Sequence, residues 1–254
     1  MKKYLLFVLF GLTVHLSFSQ DEALEAKYHD LVSTFVDCFK NEDINKLKTL
    51  IEYPLYREYP IPDVKDEEDF VIRYDQIFDE ALIEEIINSD LSEDWSSVGW
   101  RGIMLYRGTL WLNYDGKLKG INYQSIEEKA LWEALVEEDK NSIHKSLKEY
   151  KEPILVLETE KFRIRIDELN NGFYRYASWS IDSEMNEKPS LIIKNGEVVF
   201  SGSGGNHHYT FSNGNYKYEC SINVLRGKEV APAHLVVYKN EDEILLQSAQ
   251  IIRK

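Results

Sequence analysis

The chain has few basic residues for the number of acidic ones it carries. Its 254 residues include 30 Lys and Arg against 44 Asp and Glu, which gives a formal net charge of −14. Such a surface repels the phosphates of nucleic acids and of anionic membranes. We therefore expect no nucleic-acid partner, and we attribute the negative charge to solubility rather than to an acidic recognition surface.

Cysteine is also scarce, since Cys38 and Cys220 are the two in the chain. An even count would allow one disulfide. However, Cys38 falls on the helical face of Leu31 and Phe35, and Cys220 falls on the apolar side of an alternating strand pattern. We predict that each thiol is an unpaired, small apolar residue in the core of its own domain.

Long apolar runs are missing except at the N-terminus, which reads MKKYLLFVLFGLTVHLSFSQ. Two lysines, an apolar segment, and small residues at Ser17 and Ser19 are typical of a secretory signal peptide over residues 1–19. The run is shorter than the roughly 20 residues of a membrane span. We expect a secreted or periplasmic protein with no membrane span after cleavage.

Common catalytic and nucleotide-binding motifs are missing as well. The string GSGGNHHYTF at 202–211 lacks the Gly-Lys-Ser/Thr ending of a phosphate-binding loop and precedes a strand. Ser203 within it has no Gly-x-Ser-x-Gly context. The acidic run at 63–69 lacks the spacing of a calcium loop, and helix initiation explains it better. We expect no cofactor.

Residues Asn206, His207 and His208 still form the most unusual loop of the sequence. Consecutive side chains of a strand point to opposite faces, so the two histidines are not expected to bind one ion. No cysteine or carboxylate cluster lies at metal-ligand spacing beside them. We interpret the loop as structural, with no metal, and leave open whether His234 approaches either histidine.

Helical periodicity and short strands alternate before residue 150. The spacing of apolar residues predicts a helix over 22–40, a break at 41–43 and a short helix to residue 50. Acidic residues at 66–69 begin a third helix, whose buried stripe is predicted to continue to Leu82. The stripe residues are Phe70, Tyr74, Ile77, Phe78, Ala81 and Leu82.

A three-stranded meander is predicted in SVGWRGIMLYRGTLWLNYDGKLKGIN, residues 97–122. Turns at 107–108 and at Asp115-Gly116 set its register, which pairs Trp111 with Met104 on one side and with Gly120 on the other. One face is then aliphatic and suits packing under helices. The other face is aromatic and leaves room beside Trp111. Our candidate pocket residues are Tyr74, Asp75, Trp100, Arg101, Met104, Trp111 and Asn113.

The order helix, helix, strand, helix and meander over residues 22–124 resembles the NTF2-like (cystatin-like cone) superfamily. The resemblance implies an α+β domain at 20–124 in which a curved sheet encloses a conical pocket. Some members are isomerases or dehydratases with a His or Asp acid–base pair, and many only bind ligands. The meander contains no histidine, which departs from the pattern of the enzymes.

The remainder of the chain is predicted to be a connecting helix and an antiparallel β domain. Ser125 and Glu128 form a capping box for a helix that is predicted to run from Ser125 to Tyr150 within a connecting segment at 125–152. Residues 153–254 alternate with a period of two between turn signals, among them Asn195-Gly196 and Asn213-Gly214, and therefore indicate a sandwich or a barrel. The segments RYASW, KPSLIIKNGEVVF and GGNHHYTFSNGNYKY resemble exported bacterial proteins of no known activity.

These observations favour an exported, non-catalytic binding protein whose partner is an unknown small molecule or protein. A small-molecule isomerase or lyase is the first alternative, with Asp75 as the general base and Tyr74 or Arg101 stabilising an oxyanion. The second alternative is an inhibitor of an extracellular enzyme that acts through the loop at 201–208.

Overall fold

The computed structural model describes residues 22–202 and 204–253. The predicted signal peptide at 1–19 lies outside these residues. The described chain is an α+β protein, in which helices and a small antiparallel sheet precede an eight-stranded barrel. None of the helices in the described residues has the length and apolar character needed to cross a membrane.

Five α-helices lie between residues 22 and 142 of the described chain. They are α1 (His29–Lys40), α2 (Ile44–Leu47), α3 (Glu67–Ile77), α4 (Glu80–Ile87) and α5 (Ile126–Ser142). Helix α1 buries Val32, Phe35 and Phe39, which follow the predicted helical spacing. It begins at His29 rather than at residue 22, because residues 22–23 pair with a strand of the sheet.

The third predicted helix is divided in two. The Asp66 carboxylate caps the start of α3, as the acidic run predicted, by accepting from the backbone N–H groups of Glu68 and Asp69. Helix α3 ends before Phe78, which has an extended backbone, and the Asp79 carboxylate caps α4 by accepting from the N–H of Leu82. The predicted single helix was wrong because a second aspartate competes locally as an N-cap.

The first sheet contains β1 (Glu22–Ala23), β2 (Trp95–Ser97), β3 (Ile103–Leu105), β4 (Leu110–Leu112) and β5 (Leu118–Ile121), paired in that order. Its register confirms the prediction, because Trp111 pairs with Met104 and with Gly120. Ile103 and Leu112 are fully buried in the core formed with the helices. The aliphatic face is therefore the helix-packed face, as predicted.

Helix α5 begins as predicted, since the Ser125 hydroxyl accepts from the N–H of Glu128. It ends at Ser142 instead of continuing to residue 150. Ile143 is extended, and a 3-10 turn follows at Lys145–Leu147. Ile143 and Leu147 then pack with Trp179 on the outside of the barrel, so burial of these side chains overrides helix continuation.

The barrel strands are β6 (Glu152–Glu158), β7 (Phe162–Glu168), β8 (Tyr174–Ser180), β9 (Leu191–Phe200), β10 (His207–Asn213), β11 (Tyr216–Ile222), β12 (Ala233–Lys239) and β13 (Asp242–Arg253). Each pairs with the next in antiparallel fashion, and β13 closes the barrel against β6. Of the two architectures considered from the sequence, the structure has the barrel.

Asn195-Gly196 does not form the predicted turn. Both residues lie inside β9, where Asn195 has φ +63° and the pairing with β8 shifts register. A Cβ at position 196 would collide with the Phe211 ring. The dipeptide therefore makes a bulge that bends one long strand from β8 toward β10.

The two cysteines are buried, unpaired and in separate cores, as predicted. Cys38 belongs to the core of the first domain, and Cys220 belongs to the barrel interior.

Candidate functional site

The structure does not gather the seven predicted pocket residues around one cavity. Met104 and Trp111 project from the sheet face opposite Ile103 and Leu112, which face the helices. Tyr74 packs on the helix side, with its ring stacked on Phe78. None of the seven lines a cavity described below.

The aromatic face of the sheet is partly polar and only partly exposed, since Met104 on it is buried. Trp100 is 61% exposed, and the Arg101 guanidinium lies 5.6 Å from the centroid of the half-buried Trp111 ring. Asn113 donates a hydrogen bond to the Glu52 carboxylate. Asp75 is exposed on α3. These residues fit a solvated face rather than a site that excludes water.

The loop that precedes the two histidines is held by hydrogen bonds to a neighbouring loop. The side chain of Asn206 donates to the carbonyl of Leu225 at 3.1 Å and accepts from its N–H at 2.7 Å, which joins two loops at one end of the barrel. His207 lies beside Tyr209, with ring centroids 5.4 Å apart. The described residues contain no group of three or more His, Cys, Asp or Glu that could hold a metal ion.

His208 and His234 lie in one row across the sheet. His208 pairs with Ser221 on β11, and Ser221 pairs with His234 on β12. The two histidines therefore share a face but are separated by a strand, which places their backbones roughly 10 Å apart. His207 lines a cavity with Tyr209, on the opposite face, as strand alternation predicted.

A largely apolar cavity lies in the barrel, where the sequence identified no site. A cavity of about 510 Å³ opens at the end where β7, β9, β11 and β13 begin. Aliphatic and aromatic side chains dominate its wall. The lining residues are Lys161, Phe162, Tyr176, Ser178, Trp179, Ser180, Ser190, Leu191, Tyr216, Tyr218, Leu235, Val237, Ile244 and Leu245.

Aromatic rings pack against one another at the inner side of this cavity. The Tyr176 ring lies 5.5 Å, centroid to centroid, from both Phe211 and Tyr218. Burial raises the pKa of the Tyr176 and Tyr218 hydroxyls, so both are neutral at physiological pH. The charged lining residue, Lys161, is exposed in the β6–β7 turn. The interior of the cavity is therefore uncharged.

The part of β13 that lines the cavity lies beyond the end of β6. Residues 250, 251 and 253 of β13 pair with β6, whereas residues 242, 243 and 245–249 pair with β12 and Ile244 lies at a bulge. Ile244 and Leu245 line the cavity, as do Lys161 and Phe162 at the start of β7.

The first domain covers the opposite end of the barrel. Residues 57–59 line a cavity of about 300 Å³ together with Glu152, His207 and Tyr209. Burial, together with the nearby Glu152 carboxylate, raises the pKa of Glu58. This smaller site is mixed in polarity, and it separates the barrel interior from the first domain.

Helix α5 connects the two domains through buried ion pairs on one face. At its start, Glu128 accepts hydrogen bonds from Arg57 of the first domain. Three turns later, Asp139 accepts from Arg165 on β7 at 3.0 and 2.5 Å. A cavity of about 500 Å³ beside Asp139 is lined by both domains. Asp139 already has a cationic partner, so we assign it a structural role.

A second carboxylate completes this buried network. Asp167 accepts from Arg165 at 2.7 Å and from Arg175 at 2.5 and 3.2 Å. Arg175 also donates to the carbonyls of Leu147 and Glu149. The positive charges of Arg165 and Arg175 thus compensate the negative charges of Asp139 and Asp167 beneath the segment that follows α5. The network supports β7 and β8, which form part of the cavity wall.

No protein-family model matches this chain, and no curated protein and no solved structure is significantly similar to it.

Proposed function

We propose that this chain is an exported, non-catalytic binding protein that holds an apolar small molecule inside its barrel. The observation that carries the proposal is the cavity of about 510 Å³ at one end of the barrel, which is lined mainly by inward side chains of the strands, with Trp179 and the exposed Ile244 at its rim. Its size is within the range of small-molecule sites, and its mostly apolar wall with a few polar groups is typical of them. Export is supported by the N-terminal sequence pattern.

The chemistry of the wall favours binding over catalysis. Among the described residues that line the cavity, none is a histidine or a carboxylate, the usual general acids and bases. The Tyr176 and Tyr218 hydroxyls keep their protons at neutral pH because burial raises their pKa values. What the site offers a ligand is dispersion contact and removal of apolar surface from water.

A fluorescent titration tests this proposal. N-Phenyl-1-naphthylamine is an uncharged dye that brightens in apolar surroundings, and we expect it to bind at one site per chain. Leu245→Trp fills the cavity and should weaken dye binding at least about tenfold, which corresponds to roughly 1.4 kcal/mol. Leu246→Trp is the matched control, because Leu246 points outward and is 57% exposed.

The two tryptophan variants decide the location of the site. Loss of binding in Leu245→Trp with retention in Leu246→Trp supports the barrel cavity. Equal binding by both variants and the parent protein places the dye elsewhere and contradicts the proposal. Absence of saturable binding by the parent protein also contradicts it.

For the first domain, we infer an NTF2-like fold that serves as a scaffold. The order of its helices and strands supports this assignment, as does a parallel bridge between Ile51, which follows the second helix, and Leu118 of β5. In this interpretation the domain supports the barrel through Arg57 and Glu128 and carries no catalytic site.

A further inference from the structure

Exposed polar residues line the mouth of the barrel cavity, and buried, mostly apolar residues line its inner part. Lys161 lies in the turn before β7, Ser180 is the last residue of β8, and Ser190 directly precedes β9, so all three are at the open end. All three are exposed. By contrast, Tyr176 and Leu235 of the same lining are each 2% exposed. A molecule in this cavity therefore meets water and polar groups at one end and apolar walls along the rest of its length.

The ammonium group of Lys161 has no hydrogen-bond or ion-pair partner within the described part of the chain. Its backbone is held on both sides, because its N–H donates to the Thr159 hydroxyl at 3.2 Å and its carbonyl accepts from the N–H of Ile181 at 2.9 Å. The Ser180 hydroxyl is nearby, since Ser180 pairs with Phe162, the next residue of the chain. The mouth thus presents a cation next to a hydroxyl group, at the edge of an apolar cavity.

We propose that the ligand is an amphipathic anion, whose apolar body lies inside the barrel and whose carboxylate accepts hydrogen bonds from Lys161 and Ser180 at the mouth. The inference rests on the proposed function and specifies its ligand class. Hydrogen bonds between ions of opposite charge are stronger than neutral ones. Because the head group stays at the exposed mouth, its charge is not transferred into the uncharged interior, where it would be costly to bury.

Three matched ligands test the sign of the charge. Decanoate, decanol and decylamine share one linear alkyl chain and are negative, neutral and positive near neutral pH. Each is titrated against bound N-phenyl-1-naphthylamine in salt of about 0.15 M, which screens the distant carboxylates of this acidic chain. We expect decanoate to displace the dye at concentrations about fivefold lower than decanol, which is the upper range for an exposed ion pair. Decylamine should be the weakest of the three, because the Lys161 ammonium repels it.

Three lysine variants test the assignment to one residue. Lys161→Met keeps the apolar stem and removes the charge, so decanoate and decanol should then compete equally, with decanol unchanged. Lys161→Arg keeps the charge and should retain the preference for decanoate. Lys194→Met is the matched control, because Lys194 is exposed on β9, does not line the cavity and changes the net charge equally. It should preserve the preference for decanoate. Circular dichroism checks that the variants are folded.

The outcomes separate this inference from the proposed function. If the dye binds and Leu245→Trp weakens its binding, but decanoate and decanol compete equally in the parent protein, the barrel site stands and the anionic ligand is wrong. A preference for decylamine likewise contradicts the anionic ligand and leaves the barrel site standing. A decanoate preference that survives in Lys161→Met, or that is lost equally in Lys194→Met, overturns the role of Lys161. No dye binding at all overturns both proposals.

Discussion

Arg165 on β7 and Asp139 on α5 form a buried, bidentate ion pair. The guanidinium donates through Nη1 and Nη2 to the two carboxylate oxygens at 3.0 and 2.5 Å. The Tyr150 hydroxyl donates to the same carboxylate at 2.7 Å. This pair fixes the connecting helix to the outside of the barrel, on the strands that form part of the cavity wall.

We expect Asp139→Ala to destabilise the protein by about 3–5 kcal/mol, because it leaves Arg165 buried without this partner. Urea unfolding followed by circular dichroism measures the change. Glu137→Ala is the control on the exposed side of α5, and it should shift stability by less than about 0.5 kcal/mol. Equal unfolding midpoints for the two variants would show that the pair does not hold the helix.

Gln247→Met should make the ligand-free protein more stable by roughly 1 kcal/mol, because it removes a buried oxygen that has no hydrogen-bond partner among the described residues. Thermal melts without added ligand measure this effect. Gln250→Met is expected to leave the melting temperature unchanged, since its side chain is exposed. A clear loss of stability in Gln247→Met would mean that the amide oxygen accepts a bond in the free protein.

Trp111→Ala should cost about 1–2 kcal/mol and leave dye binding unchanged. The indole is half-buried and lines none of the described cavities, so truncation loses less than the full burial of an aromatic ring. Trp95, 1% exposed in the helix-packed core, provides the comparison. Trp95→Ala should cost about 3–5 kcal/mol. Weaker dye binding in Trp111→Ala would contradict this prediction and indicate that the dye binds to the first domain.

Both thiols should resist modification in the native protein at pH 8. Burial raises the pKa of Cys220 to about 12 and also raises that of Cys38, so little thiolate forms in the folded state. Because an unfolded thiol ionises near pH 8.5, the protonated form stabilises the fold below that pH. This contribution is lost as pH rises toward 12.

Thiol titration with a chromogenic disulfide checks this expectation. Two equivalents should react in urea and almost none in buffer, and stability should decline above pH 9. Rapid reaction of either cysteine in buffer would contradict the buried positions of the thiols.

Local sequence patterns were sufficient for several elements. The turns at 107–108 and Asp115-Gly116 set the meander register, because a short hairpin leaves few alternative pairings. Asp66 and Ser125 marked helix starts through caps that act within three residues. The alternating pattern around Cys220 placed that thiol on an apolar face. Each of these features depends on neighbours in the chain.

Local patterns failed where two signals competed. Asn195-Gly196 has the composition of a turn, yet the same conformations make a bulge when both flanking segments continue in one strand. In the stretch ILLQ at 244–247, three consecutive apolar residues do not show which of them face the barrel interior and which face outward. The sequence therefore could not show that Leu245 and Gln247 face inward while Ile244 and Leu246 are exposed.

The sequence by itself determined the acidic composition and the N-terminal signal-peptide pattern. It also determined the helix N-caps, the period-two strands and the separate environments of the two thiols. All of these arise from composition or from residues that are close in the chain. Only the tertiary structure decided that β13 closes on β6, nearly a hundred residues earlier. That closure brings residues of β7 and β13 together in the wall of the cavity. Pairing over such a distance depends on the combined fit of all eight strands, which no local stretch of sequence specifies.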